Sequence, residues 1–361
     1  MPPPSQLTIP ASPNTVQVSI IDTTTTIDFP ADRFLAPKID GLERVKGNAF
    51  SFLVENPRTG GKVVFDLGIR KDWENLAKPL HERLKTVFQI EVEKDVAEIL
   101  RENGVGLEEV EAIIWSHWHF DHIGDPSTFP GSTSLVVGPG MPAAKLPPYP
   151  EDPAGHLLES DFRGRQLIEI TPDKFTTRIG GFGAHDYFGD GSFYLLDVPG
   201  HAVGHMCGLA RTTPDTFILM AADTCHHGGE FRPSSYQPLP DEIVPNPYND
   251  QTTPPCPCHI FEKIHPSPEK YRTEPFYRIR VNEGGTSTAP NVEVAMQSIR
   301  HLQEFDAADN VLVVCAHDAT LVGIVDVFPA KANHWKSAGW MERGRWRFLR
   351  DWDVGYADKK P

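Results

Sequence analysis

The stretch Ser116-His117-Trp118-His119-Phe120-Asp121-His122 places three histidines and one carboxylate within six positions. The whole chain has only 15 histidines in 361 residues, so this clustering points to a chemical role. Neutral imidazole and carboxylate are the ligands taken by zinc, manganese and ferrous iron. If the chain stays extended through His119, His117 and His119 turn to one side, because strand side chains alternate. Asp121 and His122 follow as the chain turns, and so reach a second position beside the first. Two adjacent divalent ions suit this arrangement better than one.

Three further ligands follow from position. His201, Asp223 and His317 each end an apolar strand or sit just after one. In layered folds, polar side chains at strand ends converge on one edge of a sheet. His117, His119 and His201 would hold one ion, and Asp121, His122 and His317 the other. Asp223 would bridge them with its two oxygens. The ions would lie about 3.5–4 Å apart with a hydroxide between them. His205, four residues on, rivals His201, but His201 directly follows the Pro199-Gly200 turn. His226, three residues past Asp223, would face the substrate, while His185 and His227 are left spare. Cys256-Pro257-Cys258-His259 has no second cysteine pair and reads as loop, not a zinc knuckle. Cys207, Cys225 and Cys315 adjoin the proposed ligands and read as buried neutral thiols.

The elements that must carry these groups can be traced along the chain. Residues 1–14 read as a loose arm, and residues 15–361 as one domain. Residues 16–21 form a first strand. Residues 50–54 and 62–66 form a hairpin around a turn rich in Asn, Pro and Gly. Asp66-Leu67-Gly68 closes that hairpin at the rim of the site. Apolar residues at helical spacing predict a helix over 89–103, stopped by Gly104. A buried strand, 113–115, then feeds the histidine cluster. Residues 123–192 are proline-rich and read as an insertion that walls a pocket, with 181–189 as a mobile aromatic loop supplying Phe182, Tyr187 and Phe188. Further strands are expected at 192–198, 216–222 and 311–315, and a helix at 291–305. Residues 231–290 form another proline-rich section. Trp335, Trp340, Trp346 and Trp352 read as packing of a terminal segment.

Composition narrows the partners. A formal net charge of -15 argues against a nucleic-acid backbone or an anionic membrane as the main partner. Five cysteines without framework spacing point to a reducing compartment, and so to the cytoplasm. The first residues have neither a basic nor an apolar stretch, so neither a secretory signal nor a membrane span is expected, and the last four match no targeting signal. The expected assembly is a monomer or homodimer.

The pattern His117-x-His119-x-Asp121-His122, Pro199-Gly200-His201-x-x-Gly204-His205, Asp223 and His317 resembles the metallo-beta-lactamase superfamily over residues 16 to 325. The resemblance implies an α/β fold, an αββα sandwich of two facing mixed β-sheets with helices on the outer faces. It also implies a hydrolytic dinuclear site, with zinc expected and manganese or iron as alternatives, and it favours His201 over His205. Within the superfamily the chain looks most like the quorum-quenching lactonase branch, on its complete ligand set and the contexts Ala222-Asp223-Thr224 and Ala316-His317-Asp318. Beta-lactamases proper usually have a cysteine in place of Asp223 or lack Asp121 as a ligand. Two departures argue against the usual acyl-homoserine-lactone substrate: His226 stands where such lactonases often carry tyrosine, and the segment from His122 to His201 is long. The chain is similar to lactonase-like detoxification enzymes of fungi and bacteria, some of which open lactams or cyclic carbamates such as benzoxazolinones.

The expected reaction is therefore ring-opening hydrolysis of a small cyclic ester, amide or carbamate by a metal-bridging hydroxide. The developing oxyanion would be held by metal. Asp121 or His226 would carry the proton, and Phe182, Tyr187, Phe188 and His226 would contact the substrate. A glyoxalase II-like thioesterase shares the ligands but needs basic residues for glutathione carboxylates. A non-enzymatic metal-stabilised binding protein needs only a closed set of four ligands.

Overall fold

A computed structural model describes residues 7–352 and 354. Two six-stranded mixed sheets face each other. The first runs, in spatial order, Gln17–Asp22, Phe50–Glu55, Lys62–Phe65, Val110–Ile114, Ser134–Val137 and Leu167–Glu169. Its first two pairings are antiparallel and the rest parallel. The second runs Thr177–Ile179, Phe182–Asp186, Phe193–Asp197, Met206–Thr213, Thr216–Ala222 and Val311–Cys315. Here the first four pairings are antiparallel, and Thr216–Ala222 pairs in parallel with Val311–Cys315.

Strand periodicity explains the layers. Val18, Ile20, Phe52, Val54, Ala112 and Ile114 of the first sheet share an inner core with Phe193, Leu195, Ile218, Met220, Leu312 and Val314 of the second. Their neighbours point outward. Leu53, Val64, Ile113 and Leu135 pack under the helix Val96–Glu102. Leu196, Leu209, Leu219 and Val313 pack under the helix Val292–Ala307, which buries Ile299, Leu302 and Phe305. Truncating Ile299 or Leu302 to alanine would cost about 2–5 kcal/mol. The result is the expected αββα sandwich.

Several local expectations change. The segment expected as one helix over 89–103 divides into the strand Gln89–Val92 and the helix Val96–Glu102. Ile90 and Val92 alternate with Gln89 and Glu91, and the strand pairs with Thr25–Pro30 in a separate three-stranded sheet completed by Arg44–Gly47. Asp95 starts the helix: its backbone N–H donates to Glu98 Oε2 at 3.0 Å in a capping box. Gly104 ends it with φ +81°.

Residues 123–192 are less of an insertion than their prolines suggest. Four of their segments are strands of the two main sheets, and the longest stretch without a strand of either lies between Val137 and Leu167. The arm is tethered where it is described. Ser12 Oγ donates to the Asp190 carbonyl at 2.6 Å, and Leu7 and Ile9 pack on the outer core of the second sheet. Residues 1–6 and 355–361, which carry the expectations about targeting signals, lie outside the described residues. Trp335 and Trp340 are buried in the inner core, and Trp346 and Trp352 in a core shared with the section from Leu239 to Tyr277. No helix among the described residues is long and apolar enough to cross a membrane.

Candidate functional site

The strand Val110–Ile114 delivers Ser116 and His117 to one end of the first sheet. His119 is still extended, at φ -73° and ψ 153°, and caps a four-residue helix, Phe120–Ile123, whose first turn carries Asp121 and His122. From the second sheet, His201 follows Gly200, whose φ is +118° and whose place a Cβ could not share, since it would lie 2.2 Å from the Ala295 nitrogen. Asp223 follows Ala222, a non-glycine residue at φ +44°. The irregular pairing between Met220 and Ala222 bends the strand there. His317 lies two residues past Val311–Cys315.

These side chains converge in two groups that share a carboxylate. His117, His119, His201 and Asp223 form one, and Asp121, His122, His317 and Asp223 the other, with donor atoms within 4.8 Å of one another in each. Asp223 Oδ2 lies 3.4 Å from His201 Nε2 and 3.8 Å from His117 Nε2, whereas Oδ1 lies 3.0 Å from His122 Nε2 and 3.1 Å from His317 Nε2. Each oxygen thus serves a different group, as a bridging carboxylate must.

The donor set fits two cations. His201 Nε2 is 3.0 Å from His119 Nδ1 and 3.2 Å from His117 Nε2, so three ring nitrogens crowd one point, where their lone pairs suit a shared cation. His122 donates from Nδ1 to Asp66 Oδ2 at 2.8 Å, and His317 donates from Nδ1 to the Asn48 carbonyl at 2.7 Å. Their Nε2 lone pairs are thereby turned inward. His122 Nε2 and Asp223 Oδ1 are buried and face each other inside the cluster at 3.0 Å.

The electrostatics of the cluster divide along the same line. Burial holds His117 and His201 well below the usual imidazole range, and His119 at about 3, so these rings are neutral and ready to bind metal. Burial also opposes charge on His122 and His317. The facing carboxylates outweigh it, raising His122 well above its ordinary value and His317 to about 9. Asp223 is held well below the carboxylate range, its burial outweighed by His122 and His317, while burial raises Asp121. The carboxylate charge that raises these two rings is the charge a divalent cation would meet there.

The sequence profile of the Metallo-beta-lactamase superfamily matches residues 44–270. The chain belongs to the metallo-beta-lactamase superfamily. The protein named Gamma-lactamase FDB1, from Fusarium pseudograminearum, is 48% identical over 360 residues, covering 97% of this chain and 85% of that one. Cytochrome P450 monooxygenase mpaDE' of Penicillium brevicompactum is 40% identical over 96% of this chain, which spans 39% of that longer protein. A crystal structure of B. thuringiensis AiiA with N-decanoyl-L-homoserine bound at the active site superposes with a TM-score of 0.58 at 15% identity, covering 88% of this chain and 99% of that one, a likeness of fold. This member of the superfamily is a metal-dependent hydrolase with a dinuclear divalent-metal site.

A cavity of about 280 Å³ opens onto the cluster, reaching His119, Asp121, His201, Asp223 and His317. A closed structural site would have no such access. A larger cavity of about 530 Å³ touches only His317 of the seven, together with His226. The smaller one is walled by Ile27, Phe29, Phe34, Leu80, Leu84, Val87, Phe88, Trp118 and Phe120.

His226 lines both cavities, with Nε2 3.4 Å from Asp223 Oδ2. His205 stands behind the site instead of in it. Its Nδ1 donates to the Val198 carbonyl at 2.8 Å, and its Nε2 accepts the Asp223 backbone N–H at 3.2 Å. The aromatic residues expected to contact substrate are elsewhere. Phe182 is buried under the helix Val292–Ala307 against Phe305 and His301. Tyr187 and Phe188 pack on each other and on Phe193. Burial, together with the charge of Glu111, raises the Tyr187 hydroxyl to about 12.

Three supporting groups went unrecognised in the sequence. Asp66 receives Ser116 N–H at 2.6 Å and Ser116 Oγ–H at 2.7 Å besides His122. Asn48 offers its carbonyl to His317. Glu230, fully buried, accepts the backbone N–H of His226 at 2.6 Å and of His227 at 3.2 Å. The position of Asp66 at the end of a strand was the one available signal.

Proposed function

We propose that this hydrolase opens a small cyclic ester, or a cyclic amide or carbamate, with zinc as its native ion and the seven gathered side chains as ligands. The observation that carries the reading is the division of the two Asp223 oxygens between two ligand groups at the floor of an apolar-walled cavity. The relative named as a gamma-lactamase supports the cyclic amide in particular. Bound there, two divalent ions supply an ionised water at neutral pH and polarise the scissile carbonyl.

The protein's own groups do the rest. The walls from Phe29, Phe34, Phe88 and Phe120 hold a flat ring over the cluster and exclude bulk water. His226 is fixed from two sides, by Glu230 at its backbone and by the Phe34 ring at 4.8 Å. From that position His226 protonates the leaving oxygen or nitrogen as the ring opens, with Asp121 as the other proton-carrying group. The five cysteines are unpaired, in keeping with a cytoplasmic location, and the protein acts as a monomer or homodimer.

The test is a hydrolysis screen of zinc-loaded protein against lactones, lactams, cyclic carbamates, glutathione thioesters and phosphodiesters. Ring opening of at least one cyclic class, abolished by chelation and restored by zinc, is the expected result. Activity confined to phosphodiesters or to thioesters would overturn the reading.

A further inference from the structure

The cavity over the cluster carries charge that ring-opening hydrolysis does not need. Arg33 ends the short helix Ala31–Arg33, Arg83 lies in the last turn of Lys78–Leu84, and both line the cavity. Both are exposed, and neither lies within ion-pairing distance of a carboxylate among the described residues. The nearby Glu82 is engaged by Lys85 at 2.6 Å, and Asp28, on the strand that also carries Ile27 and Phe29, by Arg44 at 2.6 Å. Two unpaired guanidiniums at one mouth stand out in a chain of net charge -15. Lys145 adds to the same side, with its ammonium 3.3 Å from the centre of the Trp118 ring in the cavity wall. The cavity's own carboxylates, Asp121 and Asp223, face the cluster.

We propose that the cavity selects a compact cyclic ester or amide bearing a carboxylate remote from the scissile carbonyl, which Arg33 and Arg83 pair while the aromatic wall holds the ring. The inference rests on the hydrolytic reading above and adds the substrate's charge to it. A guanidinium matches a carboxylate in shape as well as charge, and a pair at the mouth also steers an anion inward past a repelling surface. His156, on the same wall, is held below its ordinary value by burial and by Arg83 and Lys145, so the guanidiniums remain the cations at neutral pH. A cavity of about 280 Å³ fits a small fused-ring acid better than a tripeptide thioester, the other source of such a carboxylate.

The experiment compares a dihydrocoumarin carboxylate with its methyl ester on zinc-loaded, full-length protein. The acid should be preferred about tenfold or more in kcat/KM, chiefly through KM, with the preference shrinking as ionic strength rises. In the double variant Arg33→Gln/Arg83→Gln the ratio should fall toward one. Equal treatment of acid and ester by the parent, or a ratio the double variant does not move, overturns the proposal. Preferential turnover of S-lactoylglutathione overturns it as well. Calorimetric binding of naphthalene sulfonate reads the anion site without turnover: weaker binding to the double variant supports it, and equal binding overturns it. If neither the acid nor the ester is opened while that binding difference persists, the anion site stands, and the hydrolytic reading fails only if the screen of cyclic classes is negative as well.

Discussion

Asp66 Oδ2 accepts a hydrogen bond from His122 Nδ1 at 2.8 Å while the same carboxylate takes both donors of Ser116. Asp66 is held at φ +58°, a conformation that a side chain other than glycine, asparagine or aspartate adopts at a cost. One residue therefore orients His122 and pins the strand end that delivers His117. Asp66→Asn tolerates the same backbone but cannot accept all three donors. Metal affinity at the His122 group should fall about 10- to 100-fold, with the other ion retained. Metal analysis after graded chelator titration checks this. Two ions held with the parent's affinity would remove Asp66 from the support of the site.

His201 and His205 lie four residues apart but do different work, and paired alanine variants should separate them. His201→Ala removes a nitrogen from the crowded trio and should lower the metal content to about one ion per chain. His205→Ala should leave the ion count near the parent's, yet lower stability by about 1–3 kcal/mol, because the Asp223 N–H loses its buried acceptor. Metal analysis and thermal denaturation of the same preparations decide the case. Loss of an ion from both variants alike would contradict the assignment.

What the sequence disclosed follows from the kind of constraint involved. Metal sites demand particular side chains at particular strand ends, and these survive as His117 to His122, His201, Asp223 and His317. The layers were implied by the resemblance, and in the structure inward and outward residues alternate along Phe50–Glu55 and Phe193–Asp197. Support from a backbone carbonyl, as from Asn48, leaves no mark on residue type. The cavity wall was hidden because Thr25–Pro30 begins with threonines and offers no apolar run, so no element was assigned there, although Ile27 and Phe29 line the cavity. Phe182, Tyr187 and Phe188 misled for the opposite reason. The glycines around them suggested a mobile loop, whereas Gly181 sits in the packed turn between Thr177–Ile179 and Phe182–Asp186, where a Cβ would lie 2.0 Å from His301 Nδ1.

His226 touches the bridging carboxylate and both cavities, so its replacement should separate catalysis from metal binding. His226→Phe keeps the ring contact with Phe34 and removes the proton donor. Turnover on the preferred cyclic substrate should fall about 100-fold or more with both ions retained, and the loss should be smaller for substrates with better leaving groups. Steady-state kinetics across a series of leaving groups, on protein of measured metal content, test this. An equal loss for every leaving group would reduce His226 to a packing residue.

Asp161 offers a pH test of the fold away from the site. Its side chain is buried, with Oδ2 accepting the Leu158 N–H at 2.8 Å and Oδ1 without a partner. Burial raises its carboxyl to about 7, against the pull of the Leu158 N–H, Arg70 and Arg165. In the unfolded chain the group titrates near 4. Between those values the folded protein binds more protons than the unfolded one, so stability falls as pH rises. The slope is about 1.4 kcal/mol per pH unit, levelling off above the folded value. Asp161→Asn removes that titration while its side-chain oxygen still accepts from Leu158. Between pH 5 and pH 8 the parent should therefore lose about 3 kcal/mol more stability than the variant. Denaturant unfolding of both proteins across this range measures the difference, in which metal-linked contributions common to the two cancel. A difference that stays constant with pH would mean Asp161 is already ionised in the folded state, balanced by Arg70 and Arg165.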